Sequence, residues 1–338
     1  MKVAITGATG HVGANVVRAL LGAGWSVRAL VRQDVRALEG LDVQKVQGDV
    51  EDADSLRTLF EGTELAFHLA GHITLDPREA ARAYEVNVEG TRNVTDACLA
   101  AGVRRLVHFS SIHAFDDRCV GQPIDEQRGS MTDPSRPRYG LSKAAGEKVV
   151  LEAVERGLDA VIVNPTGVIG PHDYKGSRMG RVLLNLASGA MPIVPKAGYD
   201  WVDARDVAEG AKAAALRGRT GQRYILSGNW ASLAGLGRQV DEALGQQRRR
   251  VKVPLWTAWI GVPFASAASL CTGRTAQCTT DSIKVLYGES RVSSALAAAE
   301  LGFKARALES TLADTLAWHQ GRAFARVAVW PSSQEATR

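Results

Sequence analysis

The sequence predicts an α/β protein: a doubly wound parallel sheet with a smaller C-terminal lobe. Two observations carry that expectation. Short apolar runs alternate with helical patterns through the first half of the 338-residue chain, and strands separated by crossover helices pair in parallel with both faces covered. After Pro165 the alternation loosens into Gly- and Pro-rich connections and then mostly helical patterns.

The elements follow in order. "KVAIT" (Lys2–Thr6) is a short buried-strand run, and glycines lead from it into a helix over Val12–Leu21. "SVRALVR" (Ser26–Arg32) reads as a second strand and "VQKVQGD" (Val43–Asp49) as a third, with the helix "DADSLRTLF" behind it. "LAFHLA" (Leu65–Ala70) and "RLVHFSS" (Arg105–Ser111) are further buried strands, joined by a long helix around Glu79–Ala101. A helix holding Tyr139 leads into "DAVIVNP" (Asp159–Pro165). Helices near Met179–Leu186 and over Asp203–Leu216 come next, then one more strand, "RYILSG" (Arg223–Gly228). The expected division is a first domain of residues 1–165 to which residues about 200–228 return, a lobe of residues 166–200 and 229–320, and a polar tail at 321–338.

Composition narrows the class. Hydrophobic content of 45% and charged content of 23% suit an ordered globular chain. The net charge of +5 is mildly basic, but the arginines are scattered apart from Arg248–Arg250, with no aromatic-interleaved stripe, so no nucleic-acid partner is expected. Cys98, Cys119, Cys271 and Cys278 form no CxxC pair and have no matching His spacing, which predicts neither a metal site nor a disulfide framework and suits a reducing cytoplasm. "MKVAITGATG" lacks a signal-peptide pattern. Val253–Thr272 is uncharged, yet Pro254, Gly261 and Pro263 argue against a spanning helix. The expectation there is an apolar helix pair over a pocket or core, with an interfacial patch beside Arg248–Lys252 as the alternative.

"TGATGHVG" sets Gly7, Gly10 and Gly13 between a strand and a helix. In that setting the first glycine permits a tight turn, the second lets the backbone approach a pyrophosphate, and the third lets helix pack on strand. Amides at the helix start then face negative charge. The implied ligand is a dinucleotide. A carboxylate ending the second strand would favour NAD through the ribose hydroxyl. Here Arg32 stands at that tip, and its guanidinium suits the extra phosphate of NADP. Asp34 lies two residues on, so NADP is the expected cofactor and NAD the alternative.

Tyr139 and Lys143, four apart, share a helix face. A phenol titrates near 10 and is a poor acid at neutral pH, but an adjacent ammonium stabilises its phenolate. That suits proton transfer during carbonyl–alcohol interconversion. Ser110 and Ser111 end a strand at the sheet's carboxyl edge, and alternation allows only one of them to face the pocket.

Gly7-x-x-Gly10-x-x-Gly13, "FHLAG" (Phe67–Gly71), "NVEGTRNV" (Asn87–Val94), "FSS" (Phe109–Ser111), "YGLSK" (Tyr139–Lys143) and "NPTGVIGP" (Asn164–Pro171) occur in order. As a set they resemble the extended short-chain dehydrogenase/reductase family, within the NAD(P)-dependent epimerase/dehydratase superfamily. The similarity is greatest to its dihydroflavonol-reductase-like and 3β-hydroxysteroid-dehydrogenase-like branch. The resemblance implies a Rossmann domain with a C-terminal substrate-binding lobe, and Ser111, Tyr139 and Lys143 as the active triad. It implies a cofactor loop of Gly7, Thr9, Gly10, His11, Val12 and Gly13, with Asp49 and Val50 at the adenine. Leu69, Ala70 and Gly71 would lie along the ribose and phosphates, and Pro165 and Val168 at the nicotinamide end. Lys143 would also bond the nicotinamide ribose, and a homodimer through two long helices is implied.

Relatives that eliminate water carry an acidic pair just after the catalytic hydroxyl, whereas Ile112 and His113 follow Ser111. Sugar epimerases usually carry an asparagine where Gly167 stands. What remains is hydride transfer between a ketone and a secondary alcohol. The alternatives are an NAD-dependent nucleotide-sugar epimerase and a dinucleotide-sensing regulator, which would typically lack the tyrosine or lysine. His72, His113, Met179 and Trp201 are the candidate pocket residues and suggest a moderately apolar small molecule. Asp203 reads as a helix cap.

Overall fold

A computed structural model describes residues 1–74, 76–117, 122–257 and 291–321. The chain opens with β1 (Lys2–Thr6), α1 (His11–Gly22), β2 (Ser26–Val31), β3 (Val43–Gln47), α2 (Ala53–Phe60) and β4 (Leu65–His68). Next come α3 (Ala80–Tyr84), α4 (Gly90–Ala100), β5 (Arg105–Phe109), α5 (Arg138–Glu155) and β6 (Ala160–Pro165). Then follow β7 (Gly167–Ile169), α6 (Arg178–Ser188), β8 (Ile193–Pro195), β9 (Gly198–Asp203), α7 (Ala204–Arg217) and β10 (Arg223–Leu226). The remainder holds β11 (Asn229–Ser232), α8 (Leu233–Ala243), β12 (Val251–Val253), α9 (Ala295–Leu301) and α10 (Leu308–Gln320).

Seven strands form one sheet in the order β3-β2-β1-β4-β5-β6-β10, every neighbouring pair parallel. Alternation along each strand divides the side chains between two cores. Val3, Ile5, Val107 and Val161 pack with Val16, Val17 and Leu20 of α1 and Ala208 and Ala211 of α7. Ala4, Leu106 and Ile162 pack on the opposite face with Leu56 and Phe60 of α2, Val94 of α4 and Val150 of α5. Apolar burial on both faces drives this doubly wound arrangement. The chain runs outward from β1 to β3, then returns beyond β1 to build β4, β5, β6 and β10, so a crevice opens at the carboxyl ends of β1 and β4.

Two features depart from the sequence reading. The helix expected over Glu79–Ala101 is interrupted between α3 and α4 by a π-helical turn at Glu85–Glu89, which holds the buried Asn87. Among the described residues the second half contains two further sheets, β11-β9-β7 and β12-β8, whose strands of three to six residues are mostly too brief to show a period. A separate core forms around them from Leu183, Leu186, Val194, Leu236, Val240 and Leu312. Asp203 caps α7 as expected, accepting the Arg205 N–H at 2.8 Å. No helix among the described residues is long and apolar enough to cross a membrane. Most of the apolar segment Val253–Thr272, the tail, Cys119, Cys271 and Cys278 lie outside the described residues.

Two glycines let α5 approach its neighbours at backbone distance. A Cβ at Gly140 would lie 2.6 Å from the His113 carbonyl oxygen, and one at Gly146 would lie 2.5 Å from that of Asn87. Mid-helix glycine costs roughly 1 kcal/mol relative to alanine, so packing rather than propensity accounts for them. Gly146→Ala should therefore destabilise the protein by about 1–3 kcal/mol in denaturant unfolding, the usual cost of overpacking. A gain in stability would mean the contact yields easily.

Candidate active site

The glycine loop separates structural from ligand requirements. Gly7 has φ 71°, and a Cβ there would sit 2.5 Å from Ala70 N. A Cβ at Gly13 would sit 2.1 Å from Gly7 O. Both glycines are demanded by the fold itself. Gly10 differs: its φ is −77°, and a Cβ would meet only Gly7 O at 3.4 Å. No side chain caps the start of α1, and its first turn holds no acid. Uncapped amides and the helix dipole therefore face an open cradle suited to a pyrophosphate. The residues present fit a dinucleotide.

Around this loop the expected cofactor residues divide by what their side chains already do. Leu69 and Ala70, following β4, donate their N–H groups to Thr6 O and Thr6 Oγ1. The His11 ring Nε2 lies 3.1 and 3.2 Å from the carbonyls of Gly170 and Pro171, which ties α1 to the segment after β7. Val12 packs against the core, and Val50 is buried beside Gly90. Arg32 is 3.5 Å from Asp49 across a mostly exposed gap. Asp34 accepts two bonds from Arg36, at 2.9 and 2.8 Å, and that guanidinium draws its carboxyl down to about 2. The carboxylate that would have favoured NAD is thus already engaged.

At the far end of the crevice, α5 presents Tyr139 and Lys143. Lys143 is 5% exposed and donates to Phe109 O at 2.6 Å. Burial lowers its ammonium to about 8, opposed by the negative Glu147 one turn further along. Glu147 is itself buried, accepts from Asn164 Nδ2 at 2.6 Å, and lies 3.6 Å from Arg223. Burial raises its carboxyl above the usual range, with Ser110 and Asn164 opposing. The same Asn164 amide donates to Ser111 O at 3.1 Å. Ser111 is buried, and its Oγ accepts the His113 N–H at 3.3 Å.

One electrostatic expectation is corrected. Lys143 was expected to lower the Tyr139 phenol, but its ammonium is turned to the Phe109 carbonyl. Burial raises the phenol instead, and Ser111 is the neighbour that opposes the rise.

Asn87, from the π-helical turn, fastens the segment after β4 to α5. Its Oδ1 accepts the His72 N–H at 2.8 Å, and its Nδ2 donates to His72 O at 3.0 Å and Ser142 Oγ at 2.9 Å. Gly71 faces this group, because a Cβ there would be 3.2 Å from Asn87 Oδ1 and 3.9 Å from Lys143 Nζ.

The pocket candidates fare unequally. The His113 ring meets Tyr139 edge-on at 6.1 Å between centroids, and burial lowers it to about 4, which leaves it neutral at physiological pH. His72 Nε2 lies 3.1 Å from Glu79. Met179 faces Gly167, 3.9 Å from where a Cβ would be. Trp201 is corrected: it is 1% exposed in the separate core around the small sheets and donates its N–H to Ala231 O at 3.2 Å, so it is packing material and not a cavity wall. Pro165 is buried at the end of β6, and Val168 is half-buried in β7.

Sequence reasoning missed Asn87, Asn164, Glu147 and Lys175. The Lys143–Glu147 spacing of one turn was a readable signal. Lys175 gave none, since its ammonium donates to Thr9 Oγ1 at 2.9 Å across 166 positions of sequence.

Gly10→Ala should leave thermal stability near that of the wild type while dinucleotide binding, followed by fluorescence titration, is lost. Gly13→Ala should fail to fold. Undiminished binding by Gly10→Ala would remove the cradle's function.

The chain matches the NAD dependent epimerase/dehydratase family over residues 3–227. It is 35% identical over 327 residues to "Sterol demethylase protein B" of Methylococcus capsulatus, covering 95% of this chain and 99% of that one. It is likewise 35% identical over 332 residues to "Putative dihydroflavonol 4-reductase" of Synechocystis, covering 95% of each. The crystal structure of gox2253 is similar with a TM-score of 0.82 and 32% identity, covering 96% of this chain and 98% of that one.

Proposed function

Because the chain belongs to the NAD dependent epimerase/dehydratase family, enzymes that use NAD(P) on hydroxyl and carbonyl groups, we propose that it is an NADP(H)-dependent oxidoreductase. Its substrate is a ketone or secondary alcohol on a moderately apolar small molecule. The observation that carries this reading is the gathering of Ser111, Tyr139 and Lys143 at the end of β5: Lys143 is buried and donates to Phe109 O, Ser111 Oγ accepts the His113 N–H, and the His113 ring meets that of Tyr139 edge-on.

A dinucleotide held by the glycine loop at Gly7, Gly10 and Gly13 would supply or accept the hydride. Ser111 holds the substrate oxygen, and Tyr139 gives it a proton or takes one away. Lys143 provides positive charge beneath the site, and Glu147 keeps that lysine protonated to a higher pH than burial alone would allow. Asn164 ties the two halves, bonding Glu147 with the same amide that bonds Ser111 O. Burial keeps His113 neutral, so its part is to shape the pocket and fix Ser111 through its N–H.

Several points favour reduction over the family's other reactions. Ile112 and His113 occupy the places where an eliminating enzyme needs acids. A Cβ at Gly167 would lie 2.9 Å from Asp200 O, leaving no room for the amide side chain that epimerases carry there. Retention of both Tyr139 and Lys143 speaks against a sensor without chemistry. The names of the two relatives, one a sterol protein and one a dihydroflavonol reductase, support a ring-bearing, largely apolar substrate. For the cofactor, Arg32 is only loosely paired while Asp34 is engaged by Arg36, which favours a 2′-phosphate over a ribose hydroxyl.

The test is NADPH oxidation with 3-ketosteroids and dihydroflavonols. Tyr139→Phe should lower kcat by roughly 10²- to 10⁴-fold, the usual weight of general acid catalysis, with NADPH affinity retained. Loss of NADPH binding instead would make the tyrosine structural. Arg32→Ala should weaken NADPH binding far more than NADH binding, and equal losses would contradict the 2′-phosphate assignment.

A further inference from the structure

The connection between β7 and α6, residues 170–177, lies across the glycine loop rather than within the lobe it leads to. Five bonds hold it to the glycine loop and α1. His11 Nε2 meets the carbonyls of Gly170 and Pro171 at 3.1 and 3.2 Å, Asn15 Nδ2 donates to Pro171 O at 3.0 Å, and Lys175 Nζ donates to Thr9 Oγ1 at 2.9 Å. Further along α1, Arg18 donates to the Tyr174 hydroxyl at 3.0 Å. Thr9 immediately precedes Gly10, whose open face is the pyrophosphate cradle.

At the same place the end of β2 adds its charges. Arg32, Asp34 and Arg36 all act on the Lys175 ammonium. Desolvation, aided by the two arginines, holds that ammonium below the usual lysine range, with Asp34 opposing. Three cations thus face two carboxylates, and the pairing is uneven. Arg36 engages Asp34 with two guanidinium bonds and its backbone N–H, while Arg32 reaches Asp49 only at 3.5 Å. Arg32 and Lys175 are left with donors to spare, since Lys175 spends one of its three on Thr9. A concentration of like charge between the glycine loop and the tip of the second strand is unfavourable by itself and favourable around an anion. This is also where a doubly wound fold sets the adenosine ribose.

We propose that Lys175 is a cofactor-specificity residue which, with Arg32, grips the 2′-phosphate of NADP, so that binding of this phosphate fastens the β7–α6 connection to the glycine loop. The proposal rests on the NADP reading above and extends it to a residue from the second half of the chain. One consequence is that cofactor occupancy is transmitted towards α6, which begins at Arg178 and carries Met179 against Gly167.

The experiment titrates the full-length protein with 2′,5′-ADP, 5′-AMP, NADPH and NADH by calorimetry and nucleotide fluorescence. Lys175 is surface-exposed as a residue, so its variants should fold normally. Lys175→Ala should weaken 2′,5′-ADP and NADPH by roughly tenfold to a hundredfold, the worth of a charge-assisted bond, with 5′-AMP and NADH within about twofold of wild type on the same scale. Lys175→Arg should restore most of the loss. An equal loss for NADPH and NADH would put the ammonium on the pyrophosphate and overturn the proposal. Unchanged preference in Lys175→Ala would overturn it too, while leaving the NADP reading intact. Only a wild-type protein that fails to distinguish 2′,5′-ADP from 5′-AMP would remove the underlying reading as well.

Discussion

Backbone contact between α5 and its surroundings fixes everything else at the site. The helix touches the His113 carbonyl at Gly140 and the Asn87 carbonyl at Gly146, at distances that no side chain would permit. With the helix held at two points six residues apart, Tyr139, Ser142, Lys143 and Glu147 have little freedom to move. Each then finds its partner on a different element: Ser111 after β5, Asn87 in the π-helical turn, Phe109 on β5, and Asn164 on β6. π-Helical turns often mark functional sites because they re-aim a side chain within a helix. Here the turn brings Asn87 inward to hold the segment after β4, which borders the crevice.

The arrangement has a cost in stability. Lys143 and Glu147 are charged groups removed from water, and each such burial costs several kcal/mol before compensation. The folded protein releases the Lys143 proton at about 8, whereas the ordinary value is 10.5. Below pH 8 the lysine therefore opposes folding, and the opposition fades as pH climbs towards 10.5. Glu147 behaves conversely. Its folded value is raised, so whatever stability its protonation lends is present below the ordinary carboxyl range and lost as pH rises through the folded value. Near neutrality both groups act against the fold. Their retention is understandable if the buried cation acts on the phenol's proton during catalysis.

Much of this was legible in the sequence, for identifiable reasons. The strands of the main sheet run through the core on both faces, so their apolar runs stood out, and Lys2–Thr6 matched to the residue. The glycine loop announced itself by its place between strand and helix. Motif order is also what singled out Ser111, Tyr139 and Lys143 as the candidate triad. The strands of the smaller sheets escaped notice because stretches such as Gly167–Ile169 and Ile193–Pro195 are three residues long. Trp201 was misjudged because an aromatic residue in a loosely patterned region looks the same whether it lines a cavity or fills a core. Lys175 and Thr9 could not be joined without coordinates. The direction of the Tyr139 shift failed for a related reason: spacing on a helix reveals which groups are neighbours but not which way an ammonium turns.

The central proposal is that the Tyr139 phenol, which Lys143 does not lower in the free protein, becomes a usable acid once a bound dinucleotide adds to the charge of that lysine. Titrating that phenol by ultraviolet difference absorption, against Tyr139→Phe and with or without NADP⁺, tests this directly. The account predicts a phenol above its ordinary value of 10 in the free protein, a marked fall towards neutrality with NADP⁺, and no such fall in Lys143→Met. A phenol that stays above 10 with NADP⁺ bound to the wild type would contradict it.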